Sequence, residues 1–187
     1  KRRFINEAQT ASVLDHPNIC NIHEIDETRD GHLFIVMSYY EGETLQRLIE
    51  QKTLQQNEVV DFALQVVDGL TVAHDNGTIH RDLKPANIFI TTNRRVKILD
   101  FGLAKLTGKT NITKTGTTVG TVSYMSPEQI RGTDIDHRTD IWAFGVLLYE
   151  MITSEKPFQG EYEQAVIYSI LNEEPKKPDI AEDKTNT

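Results

Sequence analysis

The 187-residue sequence is poor in cysteine, in basic residues and in long apolar runs. Its single cysteine, Cys20, excludes an internal disulfide and is consistent with a reducing compartment. We expect Cys20 to be a small, buried apolar residue of the core. Twenty Lys and Arg against 28 Asp and Glu give a net charge of -8. This balance argues against nucleic acid as a partner, because a phosphate-backbone binder needs a basic face. No run is long enough for a membrane span and no signal peptide is recognisable, so we expect no membrane segment within this window.

The sequence is 38% hydrophobic and 26% charged, a composition typical of one globular domain with its own core. Helical apolar spacing predicts helices over 1–15, 57–76, 138–153 and 162–171. Asn57 is expected to cap the second helix, and the third, apolar nearly all round, is expected to be a buried central helix. The inward stripe of the second helix is predicted to contain Val59, Val60, Ala63, Val66, Val67, Leu70 and Ala73.

Short β-rich runs predict two pairs of strands, 21–27 with 32–37 and 88–90 with 96–99. The first pair is separated by Arg29, Asp30 and Gly31, which is a hairpin turn signal. The second pair is joined through residues 92–94, and its short connection sets the distance between Asn87 and Asp100.

The chemistry concentrates in the stretch HRDLKPAN at residues 80–87, followed by DFG at 100–102. Asp82 offers a carboxylate to a hydroxyl nucleophile, and Lys84 offers an ammonium to a migrating phosphoryl group. Asn87 and Asp100 offer two hard oxygen ligands to a cation such as Mg²⁺. A single tripeptide of this kind arises by chance in ordinary turns. HRDLKPAN, ILDFG and SPEQ in that order have independent residue requirements, and coincidence is a poor explanation for them.

With these motifs the sequence resembles the eukaryotic-like serine/threonine protein kinases of bacteria. The resemblance implies an α+β, two-lobed kinase fold that is incomplete at both ends. Residues 1–40 would be the end of the small lobe, with its regulatory helix, two strands and hinge. Residues 41–172 would be the mainly helical large lobe without its last helices, and residues 173–187 would be a solvated tail. It also implies a transferase that uses ATP and Mg²⁺ to phosphorylate Ser or Thr of protein substrates. A cytoplasmic location is implied, free or as part of a membrane-anchored kinase, together with a homodimer for autophosphorylation.

The resemblance also assigns roles to individual positions. The expected catalytic residues are Asp82, Lys84, Asn87 and Thr121. The expected metal ligands are Asn87 and Asp100. The expected nucleotide contacts are Met37 as gatekeeper, the backbone of Ser38 and Tyr40, Phe89 under the adenine ring, and Lys84. The expected regulatory residues are Glu7 on the regulatory helix, the possible phosphorylation sites Thr113 and Thr115, and Arg81 as their phosphate-binding partner.

Ordinary structural roles stay open for several of these positions. Glu7 could be a solvated helix charge, Met37 an ordinary strand end and Phe89 a core residue, while the threonines could be solvated. Asp140 matches a family aspartate that accepts backbone hydrogen bonds from the catalytic loop, and stabilisation of a helix N-terminus is its alternative role.

Two parts of the family pattern are not found in the sequence. The glycine-rich phosphate loop and strand lysine would precede Lys1, and the last helices, with the arginine that pairs with Glu128, would follow Leu171. We therefore expect residues 1–187 to be a window of a larger kinase with weak or no activity on its own. The alternative is a non-catalytic pseudokinase or truncated interaction module, although such a module would not need the complete set of catalytic side chains.

Overall fold

The computed structural model describes residues 14–101 and 122–178. The first predicted helix, over 1–15, lies almost wholly outside them. The described chain then forms an antiparallel pair, β1 (Ile22–Glu27) and β2 (Leu33–Met37). The turn between them is closed by backbone bonds between Thr28 and His32 (2.8 Å) and between Gly31 and Thr28 (2.9 Å). The predicted hairpin is therefore present, with its strands within one residue of the expected bounds.

The second sheet has three antiparallel strands in the order β3 (Gly42–Thr44), β4 (Ile88–Thr91) and β5 (Val96–Ile98). Strands β4 and β5 were predicted, whereas β3 was not. Its Gly-Glu-Thr sequence has no apolar alternation, and it is a strand because β4 lies alongside it. A Cβ on Gly42 would lie 2.1 Å from the carbonyl oxygen of Ile90, so this close approach requires glycine.

Five α-helices lie in the described ranges. They are α1 (Leu45–Glu50), α2 (Gln56–Asp75), α3 (Pro127–Arg131), α4 (Arg138–Thr153) and α5 (Glu163–Asn172). Helices α2, α4 and α5 match the predicted helices to within one or two residues. The two short helices, α1 and α3, have too few turns for a periodic pattern to reveal them. No helix in the described ranges has the length and apolarity needed to cross a membrane.

Two details predicted for α2 are wrong. The helix begins at Gln56, so Asn57 lies inside the first turn, and the backbone N–H of Gln55 is bound instead by the Glu58 carboxylate (3.0 Å). Val60 and Val67 are 60% and 41% exposed. The buried face instead contains Val59, Phe62, Val66, Gly69, Leu70 and Ala73.

The main core lies where α2, β4, β5 and α4 meet, and it includes Leu83 from the loop before β4. Helix α2 approaches β5 closely at Gly69, where a Cβ would lie 2.8 Å from the Cδ1 atom of Ile98. A second cluster joins Val122 and Tyr124 to α4 and α5. Helix α4 contributes to both clusters, but its Ile141 is 57% exposed, so it is not buried all round as predicted.

Candidate active site

The loop between α2 and β4 contains the HRDLKPAN motif and is anchored by two buried side chains. Leu83 is fully buried in the main core. His80 is also fully buried, and its Nε2–H donates to the carbonyl oxygen of Leu99 at 2.8 Å. The edge of the His80 ring packs on Phe101, with 4.8 Å between ring centroids. His80 therefore holds the first motif against the second.

Asp140, in the first turn of α4, fixes the start of this loop. Its Oδ2 accepts from the backbone N–H of His80 and from Nε2–H of His74, and its Oδ1 accepts from the backbone N–H of Arg81, each at 2.8 Å. Burial alone would raise the pKa of Asp140. The hydrogen bonds from His74 and the loop backbone, with His80 nearby, outweigh burial and hold its pKa below the usual value. The predicted acceptance of backbone hydrogen bonds from the loop is present.

Asp82 lies at the centre of a small polar cluster. Lys84 Nζ donates to Asp82 Oδ2 at 2.8 Å, and Asn87 Nδ2 donates to the same oxygen at 3.2 Å. Asn87 Nδ2 also donates to the backbone carbonyl of Asp82 at 2.8 Å. The Asp82 side chain is 33% exposed and that of Lys84 is 20% exposed. Three of the four residues predicted to carry the chemistry are thus in direct contact.

Asp100, the fourth, lies close enough to Asp82 for their charges to interact. The backbone N–H of Leu99 donates to the carbonyl oxygen of Asn87 at 2.8 Å, which ties the two motifs together just before Asp100. Burial raises the pKa of the Asp100 carboxyl. The nearby His80 and Lys84 act against this rise, whereas the Asp82 carboxylate adds to it. A half-buried carboxylate beside a second carboxylate is a place where a cation is stabilising.

The oxygen atoms of Asn87 and Asp100 are of the chemical type that binds Mg²⁺, the ion that bridges phosphates in phosphoryl transfer. Within the described part of the chain, the Asn87 side chain makes two hydrogen bonds, both through its nitrogen, and its amide oxygen is the atom that would face a metal. Together with Asp100 it would supply two hard oxygen ligands. Within residues 14–101 and 122–178 no group of three or more His, Cys, Asp or Glu could hold a metal ion. In proteins Mg²⁺ usually keeps several waters and binds one or two carboxylates together with substrate phosphates.

The other predicted nucleotide contacts lie at the end of β2, in the segment that follows it and in β4. Met37 ends β2 and is 40% exposed. The N–H of Ser38 donates to the carbonyl oxygen of Asn21 at 3.0 Å, so only its own carbonyl remains for an adenine edge. The Tyr40 ring lies under the Lys97 ammonium, 4.8 Å from Nζ to the ring centroid. Phe89 is half-buried in the middle of β4. Their roles stay predictions.

Four predicted site residues, Glu7, Thr113, Thr115 and Thr121, lie outside the described residues. Two side chains in the site were not predicted. His74 binds Asp140 from α2, and Gln129 of α3 donates to the carbonyl oxygen of Arg81 at 2.7 Å. A histidine six residues before the motif carries no spacing signal. Gln129 belongs to the SPEQ motif, but the Ser-x-x-Gln spacing indicates the start of a helix and not a contact with the loop. Only tertiary packing brings Gln129 to the loop and His74 to Asp140.

Residues 1–186 match the protein kinase domain family, and the motifs that meet in this site lie within that match. The chain belongs to the protein kinase family. It is 42% identical over 185 residues to serine/threonine-protein kinase pkn3 of Myxococcus xanthus, covering 94% of this chain and 34% of that protein. It is 39% identical over 181 residues to serine/threonine-protein kinase PknB of Mycobacterium leprae, with coverage of 94% and 29%. With serine/threonine-protein kinase PrkC of Bacillus subtilis the identity is 41% over 174 residues, with coverage of 92% and 27%.

This kinase chain thus spans about a third or less of the length of these relatives. The family consists of ATP-binding transferases, and the predicted relation to bacterial serine/threonine kinases is confirmed. The protein kinase fold, α+β, is likewise confirmed at that level.

Proposed function

We propose that this kinase domain is catalytic within the full-length protein and transfers the γ-phosphoryl group of ATP to Ser or Thr hydroxyls of protein substrates. One observation supports this most strongly. Asp82 Oδ2 is bound by Lys84 and Asn87, while the half-buried Asp100 lies nearby with a raised pKa. A protein that served only as a scaffold would gain nothing from two interacting carboxylates, because their repulsion costs stability when no cation is bound.

Asp82 is proposed to orient the substrate hydroxyl. Lys84 and Asn87 both contact its Oδ2, so Oδ1 is the oxygen proposed to receive the hydroxyl proton. These two contacts hold Oδ2 in place, which pre-organises the carboxylate for a reaction that depends mainly on alignment. Because the proton moves late in a loose transition state, orientation is the larger part of this role.

Lys84 is proposed to lie between Asp82 and the migrating phosphoryl group and to stabilise its charge in the transition state. Asn87 and Asp100 are proposed to hold Mg²⁺, which when bound neutralises charge on the phosphate oxygens. The Asn87 side chain would then act twice, since its nitrogen orients Asp82 while its oxygen faces the metal.

We further propose that the carbonyl of Ser38, the backbone of Tyr40, Met37 and Phe89 line the adenine site. We also propose that residues 1–40 are the end of a small lobe, residues 41–172 a large lobe and residues 173–187 a tail, so that this adenine site would lie at the boundary near residue 40. Thr121 is proposed to act in catalysis by ordering Asp82 and Lys84. Regulation is proposed to involve Glu7 and phosphorylation at Thr113 or Thr115, with the phosphate docking on Arg81. We propose a cytoplasmic catalytic domain that autophosphorylates as a homodimer.

The roles of the two carboxylates are separated by Asp82→Asn and Asp100→Asn in the full-length protein. Asp82→Asn should lower kcat by orders of magnitude and leave Mg-dependent ATP affinity nearly unchanged, because its contact matters in the transition state. Asp100→Asn should lower kcat and also weaken Mg-dependent ATP binding. Isothermal titration with and without Mg²⁺ and a phosphotransfer assay measure the two effects, and exposed Asp75→Asn on α2 is the matched control.

Two results would contradict this proposal. If Asp82→Asn loses Mg-dependent ATP binding while Asp100→Asn keeps it, the roles are reversed. If the full-length protein shows no phosphotransfer, or if its phosphotransfer persists in Asp82→Asn, the protein is a pseudokinase or an interaction module.

A further inference from the structure

Gln129, in the first turn of α3, uses both ends of its side-chain amide. Its Oε1 accepts from the backbone N–H of Ser126 at 2.9 Å, and its backbone N–H points to the Ser126 hydroxyl at 3.4 Å. This reciprocal pair is a capping box, for which a glutamate at the same position serves equally well. The cap therefore explains the oxygen of Gln129 but not its nitrogen.

The nitrogen has a partner in the catalytic loop, 48 residues earlier in the chain. Gln129 Nε2 donates to the carbonyl oxygen of Arg81 at 2.7 Å. Since a carboxylate cannot donate, this contact requires an amide. Gln129 is half-buried, so water competes weakly for the bond.

The carbonyl that Gln129 binds belongs to the peptide that enters Asp82. Arg81 has φ +68°, a left-handed conformation that a non-glycine residue holds only when its surroundings impose it. Its N–H is bound by Asp140 Oδ1 at 2.8 Å, and the N–H of Asp82 on the same peptide points to His80 Nδ1 at 3.2 Å. Gln129 completes this set by holding the carbonyl side.

Helix α3 is itself fixed to the helix that carries Asp140. The hydroxyl of Thr139, the residue before Asp140, lies 3.0 Å from the Ser126 hydroxyl and donates to Glu128 at 2.7 Å. Thr139 is buried, with 1% of its surface exposed. Residues 139 and 140 therefore hold α3 and the catalytic loop side by side, and Gln129 joins the two directly.

We propose that Gln129 is a positioning residue that sets the orientation of Asp82 through the Arg81 carbonyl, so that the placement of α3 controls turnover. This rests on the proposed phosphotransferase function. Gln129 does not touch the reacting groups, and it acts only by fixing the peptide that leads into Asp82. A shift of that peptide misaligns the carboxylate without removing any group that binds nucleotide.

The test is Gln129→Glu in the full-length protein. The variant keeps the capping box, but it places a carboxylate oxygen against the Arg81 carbonyl and so removes the hydrogen bond. We expect kcat to fall about tenfold to a hundredfold, as for a misplacement of about 1 Å, with little change in the KM for ATP. Hydrogen–deuterium exchange should become faster in the peptide 79–84, a readout that does not depend on activity.

Two further variants make the result specific. Gln129→Met has a side chain of similar length without a donor or a charge, and it should shift kcat and exchange in the same direction. Gln164→Glu on the exposed side of α5 introduces the same charge change and should alter neither. Unchanged kcat and exchange in both Gln129 variants would overturn the inference while leaving the proposed function intact. If the parent protein lacks phosphotransfer, the proposed function fails separately, and unchanged exchange would still overturn the positioning role.

Discussion

Asp140→Asn is the substitution whose effect on stability the structure defines most closely. The Asp140 residue is completely buried and accepts three hydrogen bonds of 2.8 Å. Asparagine has nearly the same shape but only one acceptor oxygen. Its amide nitrogen must take the place of Oδ1, where it faces the N–H of Arg81, or of Oδ2, where it faces the donors of both His74 and His80. At least one donor is therefore left buried without a partner.

The expected magnitude follows from these contacts. An orphaned buried donor costs about 1–3 kcal/mol, and converting two charge-assisted bonds into neutral ones costs about 0.5–1 kcal/mol each. Removing a buried charge returns part of its desolvation cost. We expect a net loss of about 2–3 kcal/mol in the free energy of unfolding, a large part of the margin of a typical domain. Because the same bonds fix His80 and Arg81, kcat should fall as well.

Urea denaturation followed by circular dichroism measures the effect, with the exposed Asp75→Asn on α2 as a control. The pKa of Asp140 is lowered in the folded protein, so its stabilising contribution is fully present above the usual value of 3.8 and is lost as the pH falls through the folded value. The difference between the parent protein and Asp140→Asn should therefore shrink below pH 3.8. Equal stability at neutral pH, or a difference that grows on acidification, would refute this reasoning.

Two other stability predictions depend on partly buried carboxylates. The pKa of Asp100 is raised, so its protonated form favours the fold and that contribution is lost as the pH rises through the folded value. Asp100→Asn should therefore raise the melting temperature of the nucleotide-free protein at neutral pH, and an unchanged or lower value would count against this. Tyr124 donates to Glu150 at 2.5 Å, and Tyr124→Phe should cost about 1–3 kcal/mol because the partly buried carboxylate loses that donor. Chemical denaturation measures the loss, and an effect no larger than that of exposed Tyr162→Phe would show that the bond contributes little.

Much of the fold could be predicted from local patterns. The bounds of α4 were predicted to the residue because sixteen successive positions carry helical apolar spacing between clear breaks. Strands β1, β2, β4 and β5 were predicted because β-branched and aromatic residues concentrate between turn signals. The short elements β3, α1 and α3 were not, since three to six residues carry too little periodicity and form only against a neighbour.

Residue spacing within the motifs determined the composition of the candidate site. HRDLKPAN places Asp82, Lys84 and Asn87 within six residues, so any compact loop would bring them together, as the contacts of 2.8 and 3.2 Å show. Which side of α2 faces the core was decided by tertiary packing, because Val60 and Phe62 are both apolar and only the position of β5 and α4 selects between them. The contacts of Gln129 with the catalytic loop and of His74 with Asp140 were decided in the same way. They join residues 48 and 66 positions apart, and no local pattern encodes a hydrogen bond that exists only after helices have packed.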